Sequence, residues 1–114
     1  MSADLSAALA SFVRAYEARP DLVAEQRDWS PIIALAATDA PARATVALHH
    51  GRVAPTADAA EATLEISGPL ATLCDVLELR RDPNEPYLFG ELVVRGPEAD
   101  FVRLDYLASR LCPR

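Results

Sequence analysis

The fold can be read most directly from residues 61–111, EATLEISGPLATLCDVLELRRDPNEPYLFGELVVRGPEADFVRLDYLASRL. A strand-like run at 62–66 is followed by a glycine–proline pair and then by a helical pattern at 70–79, where apolar residues recur at steps of three and four. A second strand-like run at 92–95 leads through another glycine–proline pair into a last amphipathic helix at 98–112, since proline suits the start of a helix. Both helices are apolar enough on one side to cover a sheet.

The N-terminal half predicts one long helix and three more strands. An apolar stripe at 5–18 indicates an amphipathic helix that Pro20 ends, and a short second helix is predicted at 21–28. Alternating apolar residues then predict an antiparallel meander, because each strand is separated from the next by a short turn. The predicted strands are 32–37, 43–49 and 52–54. The proline-containing segment 80–86 is predicted to be irregular.

Length and element order together define the fold class. At 114 residues the chain has room for one domain, 1–114, with a single core. Hydrophobic residues make up 51% of the chain and charged residues 25%, as in a globular protein. The predicted fold is therefore α+β, with a five-stranded, mostly antiparallel sheet and helices covering one face.

The charge pattern excludes one large class of partner. The net charge is −6, and the 11 basic residues, all arginines, are spread along the chain rather than clustered. Nucleic-acid binding needs a basic patch, so we expect none, and anionic membranes would allow at most peripheral contact. Because no signal peptide and no membrane-spanning run is visible, a cytoplasmic location is expected. Cys74 and Cys112 are then expected to be reduced thiols, at least one of them buried.

No residue pattern indicates catalysis or a bound metal. His49 and His50 are neighbours at the end of a predicted strand, where successive side chains point to opposite faces, so both cannot bind one metal ion without a bend. The chain has no glycine-rich phosphate loop, no nucleophile–base signature and no zinc-ligand spacing. Asp100 and Asp105 flank Arg103 on the last helix and are expected to be solvated. We therefore expect a protein that is not an enzyme and has no cofactor.

Several runs match the pattern of one known family. They are Trp29, His50-Gly51-Arg52-Val53, the strand at 61–67, Arg81-Asp82-Pro83, Leu88-Phe89 and the run at 92–96. With the element order, they resemble the lipid-binding domain of sterol carrier protein 2. The likeness is greatest to the bacterial members that act as accessory factors in ubiquinone biosynthesis. The chain departs from those members at Gly90-Glu91 and Pro97-Glu98.

The resemblance implies an apolar tunnel between the sheet and its helices. The residues expected to line it are Ile33, Leu73, Val76, Leu77, Leu88, Phe89, Phe101, Leu104 and Leu107. Arg80 and Arg81 are expected to contact a ligand's head group if their loop lies at the tunnel mouth. The implied function is that of a non-catalytic accessory protein, which holds a prenylated intermediate of ubiquinone biosynthesis and presents it to the enzymes of that pathway.

Three other functions remain open from the sequence. The chain is alternatively a general carrier of fatty-acyl chains or phospholipids with the same fold. It is alternatively an adaptor with a solid core, whose apolar face docks a partner or a second copy to form a homodimer. A small isomerase or hydrolase ranks last, since it would need a polar group with a perturbed pKa inside the pocket.

Overall fold

The computed structural model describes residues 5–49, 52–55, 62–82 and 84–111. The helices are α1 Leu5–Glu17, α2 Pro20–Glu25, α3 Leu70–Leu77, α4 Asn84–Leu88 and α5 Glu98–Leu111. The strands are β1 Ile32–Ala37, β2 Arg43–His49, β3 Arg52–Pro55, β4 Leu64–Gly68 and β5 Val93–Arg95. None of these helices is long and apolar enough to cross a membrane. The α+β class predicted from the sequence is confirmed.

The five strands form one sheet in the order β3-β2-β1-β4-β5. β1, β2 and β3 pair antiparallel, as the predicted meander requires, and β4 pairs antiparallel with β5. The exception is at the centre, where β1 and β4 run parallel and Ile33 lies opposite Leu64. The sheet is therefore mostly antiparallel, and the chain crosses over between its third and fourth strands.

Strand alternation places one row of large apolar side chains toward the helices. Ile33 and Leu35 are both buried on β1, two residues apart, and therefore share a face of the sheet. Ile33 pairs with Val46 of β2, so the two side chains lie side by side on that face. Leu73 of α3 packs against this row and belongs to the same hydrophobic core. The core thus lies between the sheet and the covering helices.

Gly96 fixes the connection from the last strand to the last helix. Its φ of +139° lies in a region that residues with a side chain rarely adopt. A Cβ at this position would also collide with the carbonyl oxygen of Thr63 and lie 2.8 Å from the side chain of Leu64. Only glycine allows the chain to pass this close to the start of β4, and that passage sets where α5 begins.

The segment predicted to be irregular contains a short helix, α4, so that prediction is wrong. Two prolines in 80–86 indicated a break, yet Pro86 lies in the first turn of α4, where its missing N–H removes no hydrogen bond. Pro86 is also almost fully buried, and its carbonyl oxygen accepts hydrogen bonds from the backbone N–H groups of Glu91 at 2.8 Å and Leu92 at 3.1 Å. These contacts fold the segment back toward β5.

Candidate ligand cavity

An apolar cavity of about 100 Å³ lies between the sheet and the helices. Its floor includes Ile33, Leu35 and Ile66 from the two central strands. α1, α3 and α5 contribute most of the helical part of its lining. Apart from Asp105 and the Tyr87 hydroxyl, the described side chains that line it are hydrocarbon. Such a cavity holds water poorly and favours an apolar occupant.

Seven of the nine residues expected to line a tunnel line this cavity. They are Ile33, Leu73, Val76, Leu77, Phe101, Leu104 and Leu107. Leu88 and Phe89 lie at the surface instead, with exposed fractions of 76% and 77%. The reason is α4: its Tyr87 turns inward to contact the Phe101 ring, at 4.7 Å between centroids, which carries the next residues of the helix outward.

Neither arginine expected to contact a head group is among the residues that line the cavity. Arg81 donates hydrogen bonds to Glu91 at 3.2 and 3.3 Å and to Glu85 at 3.2 Å. Thr72 donates to the same Glu91 carboxylate at 3.2 Å. The hydrogen bond from Arg81 is the main cause that lowers the pKa of Glu91. Arg81 therefore ties the loop after α3 to the turn before β5.

Arg80 is more exposed than Arg81 and is also paired with carboxylates. Its guanidinium contacts Glu78 and lies 3.8 Å from the carboxylate of Asp75, with 64% of the side chain exposed. Exposed pairs of this kind contribute little to stability. The loop's two cations thus face carboxylates of α3, its C-terminal cap and the neighbouring loops rather than the cavity.

Asp105 is the one charged side chain among the described residues that line the cavity. Burial raises its pKa from the ordinary value of 3.8, and the nearby charge of Asp82 raises it further. From the sequence, Asp105 was expected to be solvated because charged residues on a helix exterior usually are. The signal it missed is helical spacing: positions 101, 104, 105 and 108 follow steps of three and four and lie on one face of α5.

Polar contacts along one edge hold α5 in place, and sequence reasoning did not find them. The indole N–H of Trp29 donates to Asp100 at 2.6 Å. Arg103 lies over the Trp29 ring, 5.2 Å from its centroid, and donates to the side-chain oxygen of Gln26 at 2.9 Å. Gln26 is only 3% exposed, so this arginine satisfies an acceptor that water reaches poorly. Asp28 accepts a further hydrogen bond from Arg103 at 2.9 Å, and this bond lowers the pKa of the Asp28 carboxyl group.

Other residues singled out in the sequence add no second site. Cys74 is buried on α3, as expected for at least one thiol, while Cys112 lies outside the described residues. His49 is the last residue of β2, and His50, like Cys112, lies outside the described residues. In the described part of the chain, no three histidine, cysteine, aspartate or glutamate residues are grouped so that they could hold a metal ion.

The sheet order, the covering helices and the cavity between them define a sterol carrier protein 2-like domain. The chain has this fold, as its resemblance to that family predicted. No family model matches the chain, and a comparison with curated proteins gives no match.

Three solved structures show the likeness. A conserved hypothetical protein of Thermus thermophilus, named as a candidate sterol carrier protein, is 25% identical with a TM-score of 0.65, covering 98% of this chain and 86% of that one. The UbiJ-SCP2 ubiquinone synthesis protein is 16% identical with a TM-score of 0.64, covering 90% and 84%. Sterol carrier protein 2 of Yarrowia lipolytica, in its apo form, is 12% identical with a TM-score of 0.60, covering 93% and 90%.

Proposed function

We propose that this protein is a non-catalytic lipid-binding protein that holds a long apolar ligand between α5 and the sheet. The observation that carries the proposal is the cavity itself, whose described lining is hydrocarbon except at Asp105 and Tyr87. Each CH₂ group that leaves water for such a site contributes about 0.8 kcal/mol. An apolar chain therefore binds there with few polar contacts. The fold shared with sterol carrier protein domains supports the same function.

Binding requires α5 to move away from the sheet. The cavity of about 100 Å³ is smaller than the roughly 300–1,000 Å³ typical of ligand pockets. α5 is the element suited to move, because its backbone packs extensively against none of the described helices or strands, whereas α1 and α3 pack closely together. Its polar contacts with Trp29 and Gln26 lie along one edge, so the opposite edge is the side that opens.

The ligand that we propose is a prenylated intermediate of ubiquinone biosynthesis, presented to the enzymes of that pathway. Two observations support this finer assignment. The sequence run from Arg81 to Gly96 resembles the bacterial ubiquinone accessory factors. A protein of ubiquinone synthesis also shares the fold over most of the chain. A prenyl tail is branched hydrocarbon, which matches the leucine, valine and phenylalanine lining.

Two measurements test lipid binding directly. Native mass spectrometry after gentle purification should show an adduct, and extraction should identify it as a prenylphenol or quinone. In parallel, the uncharged dye Nile red should bind the delipidated protein and brighten. Recovery of fatty acids alone would favour the general carrier. Absence of any lipid, together with no dye binding and a dimer on sizing, would favour the adaptor.

A matched pair of variants localises the binding. Ala108 lines the cavity on α5, so Ala108→Phe places a ring inside it. Ala99 lies on the same helix but is exposed, so Ala99→Phe adds the same ring to the surface. We expect Ala108→Phe to weaken Nile red binding at least about ten-fold and Ala99→Phe to leave it unchanged, with circular dichroism confirming that both variants fold. Equal binding by the two variants would place the dye outside the cavity.

A further inference from the structure

We propose that Asp105 anchors the ligand's head group and selects one that donates a hydrogen bond and carries no negative charge. A long-chain alcohol, phenol or amine has this chemistry, whereas a fatty-acid anion does not. This inference rests on the proposed function, because it assigns the polar end of a ligand whose apolar tail occupies the same cavity.

Asp105 is positioned to reach the cavity. It lies one helical turn after Phe101 on α5, within the face that covers the cavity. Among the described residues, its carboxylate has no hydrogen bond and no ion pair. The side chain therefore brings an unpaired acceptor to the edge of an otherwise hydrocarbon space.

The surrounding charges leave this acceptor without a cation. Arg103, two positions away on α5, is directed to Gln26 and Asp28 instead. Arg81, in the loop beside Asp82, is held by Glu91 and Glu85. Asp82 itself adds negative charge next to Asp105. Neither Arg103 nor Arg81 therefore pairs with Asp105, whereas the sequence predicted arginines here if their loop lay at the tunnel mouth.

A donor on the ligand would relieve the cost of this arrangement. A partly buried carboxylate loses hydration, and burial raises the pKa of Asp105 for that reason. A hydroxyl or ammonium group that donates to it restores the lost hydrogen bond, and hydrogen bonds to charged groups are the stronger kind. A ligand carboxylate at the same place would instead meet two negative charges, which opposes its binding.

The test compares 1-dodecanol with laurate, two ligands with the same number of carbon atoms and different heads. Each is titrated against the Nile red complex at pH 8, well above the ordinary range of carboxyl groups. We expect the wild-type protein to bind dodecanol at least about ten-fold more tightly than laurate, the size expected for one hydrogen bond to a charged group. Asp105→Leu should reduce that ratio to near one, and the nearly isosteric Asp105→Asn should reduce it in part.

Glu98→Gln is the matched control. Glu98 is an exposed carboxylate on the same helix, so this variant changes the net charge by the same amount without altering the cavity. It should keep the wild-type ratio. If laurate binds as well as dodecanol, or if Asp105→Leu leaves the ratio unchanged, the head-group assignment is wrong while lipid binding stands. If neither ligand nor the dye binds, the proposed function fails and the assignment fails with it.

Discussion

The two sides of the helical layer differ in how they are held to the sheet. α1 and α3 pack closely together, and the buried residues Leu5 and Leu73 belong to the main core. α5 packs extensively against none of the described helices or strands, and it joins that core through the partly buried Phe101 and Leu104. Its buried Leu107 belongs to a second, smaller core with Tyr16 of α1. The cavity lies where packing is incomplete. We infer that the close-packed side stabilises the fold and that the loosely packed side is where the proposed ligand enters.

The two helices also differ in where their directional contacts lie. α3 is held by apolar packing, which loses contact as soon as the surfaces separate, and at its N-terminal end by hydrogen bonds from Leu70 to Asp39 and from Thr72 to Glu91. α5 is also tied by directional contacts from Trp29 to Asp100 and from Arg103 to Gln26. Such contacts hold one edge of α5 in place and allow the helix to rotate about that edge. We infer that α5 opens without detaching.

The largest expected difference is between two leucines on opposite sides of the cavity. Leu73 on α3 is 2% exposed, whereas Leu104 on α5 is only partly buried. Leu73→Ala should lower the free energy of unfolding by about 3 kcal/mol, and Leu104→Ala by about 1 kcal/mol, because the second site already borders a void. Urea denaturation measures both values. Equal losses would mean that the two sides are packed alike.

The next effect concerns the tether of α5. Arg103→Met keeps the stem over Trp29 but removes the donor to the buried Gln26 oxygen, and should cost about 1–2 kcal/mol. Arg110→Met is the control, since Arg110 donates to the exposed Tyr106 hydroxyl on its own helix, and it should cost only about 0.3 kcal/mol. Hydrogen exchange should also accelerate in α5 alone for Arg103→Met. Uniform acceleration through α1 and α3 would show that the helices do not move separately.

A smaller effect is expected at the junction between α1 and α5. Tyr16 packs against Leu107, and its buried hydroxyl has no hydrogen-bond partner in the described structure. Because Phe retains the ring and removes the unsatisfied group, Tyr16→Phe should raise the free energy of unfolding by about 1 kcal/mol. Thermal unfolding checks this. A clear loss of stability would reveal a partner for the hydroxyl.

The smallest expected effects on the free energy of unfolding depend on pH, and they have opposite signs for Glu91 and Asp105. The pKa of Glu91 is lowered by Arg81. The stabilisation that Glu91 gives the folded state is therefore present above the ordinary carboxyl pKa of 4.5 and is lost as the pH falls. The pKa of Asp105 is raised, so its contribution exists below 3.8 and is lost as the pH rises through the folded-state pKa. At pH 7, Glu91→Gln should therefore destabilise the protein and Asp105→Asn should stabilise it slightly. Both differences should shrink toward pH 3, and changes of the same sign at pH 7 would contradict this.

The sequence predicted the fold well because two simple periods dominate it. Alternation placed β1 and β2 at the observed residues, and steps of three and four placed α1, α3 and α5 within two residues at either end. The sequence pattern did not predict α4, because Pro86 lies in the first turn of that helix, where proline is tolerated. That failure also misplaced Leu88 and Phe89, because the direction of their side chains depends on a helix that local sequence does not indicate.

Charges were harder to place than apolar residues. Whether an arginine faces a ligand or a carboxylate depends on residues distant in sequence, as with Arg103 and Gln26, 77 positions apart. Asp105 was expected in solvent because charged residues on a helix exterior usually are, although its spacing from Phe101 places it on the apolar face. Periodicity identifies a face, but only the folded chain shows which charges are neutralised.

We propose that an apolar chain enters the space beneath α5, and methyl-resolved NMR during titration with 1-dodecanol would detect that entry. We predict that the methyl signals of Val76, Leu104 and Leu107 shift and show contacts to the ligand's chain, while those of Leu5 and Leu22 change little. Shifts confined to the exposed Leu88, with the cavity signals unmoved, would contradict it.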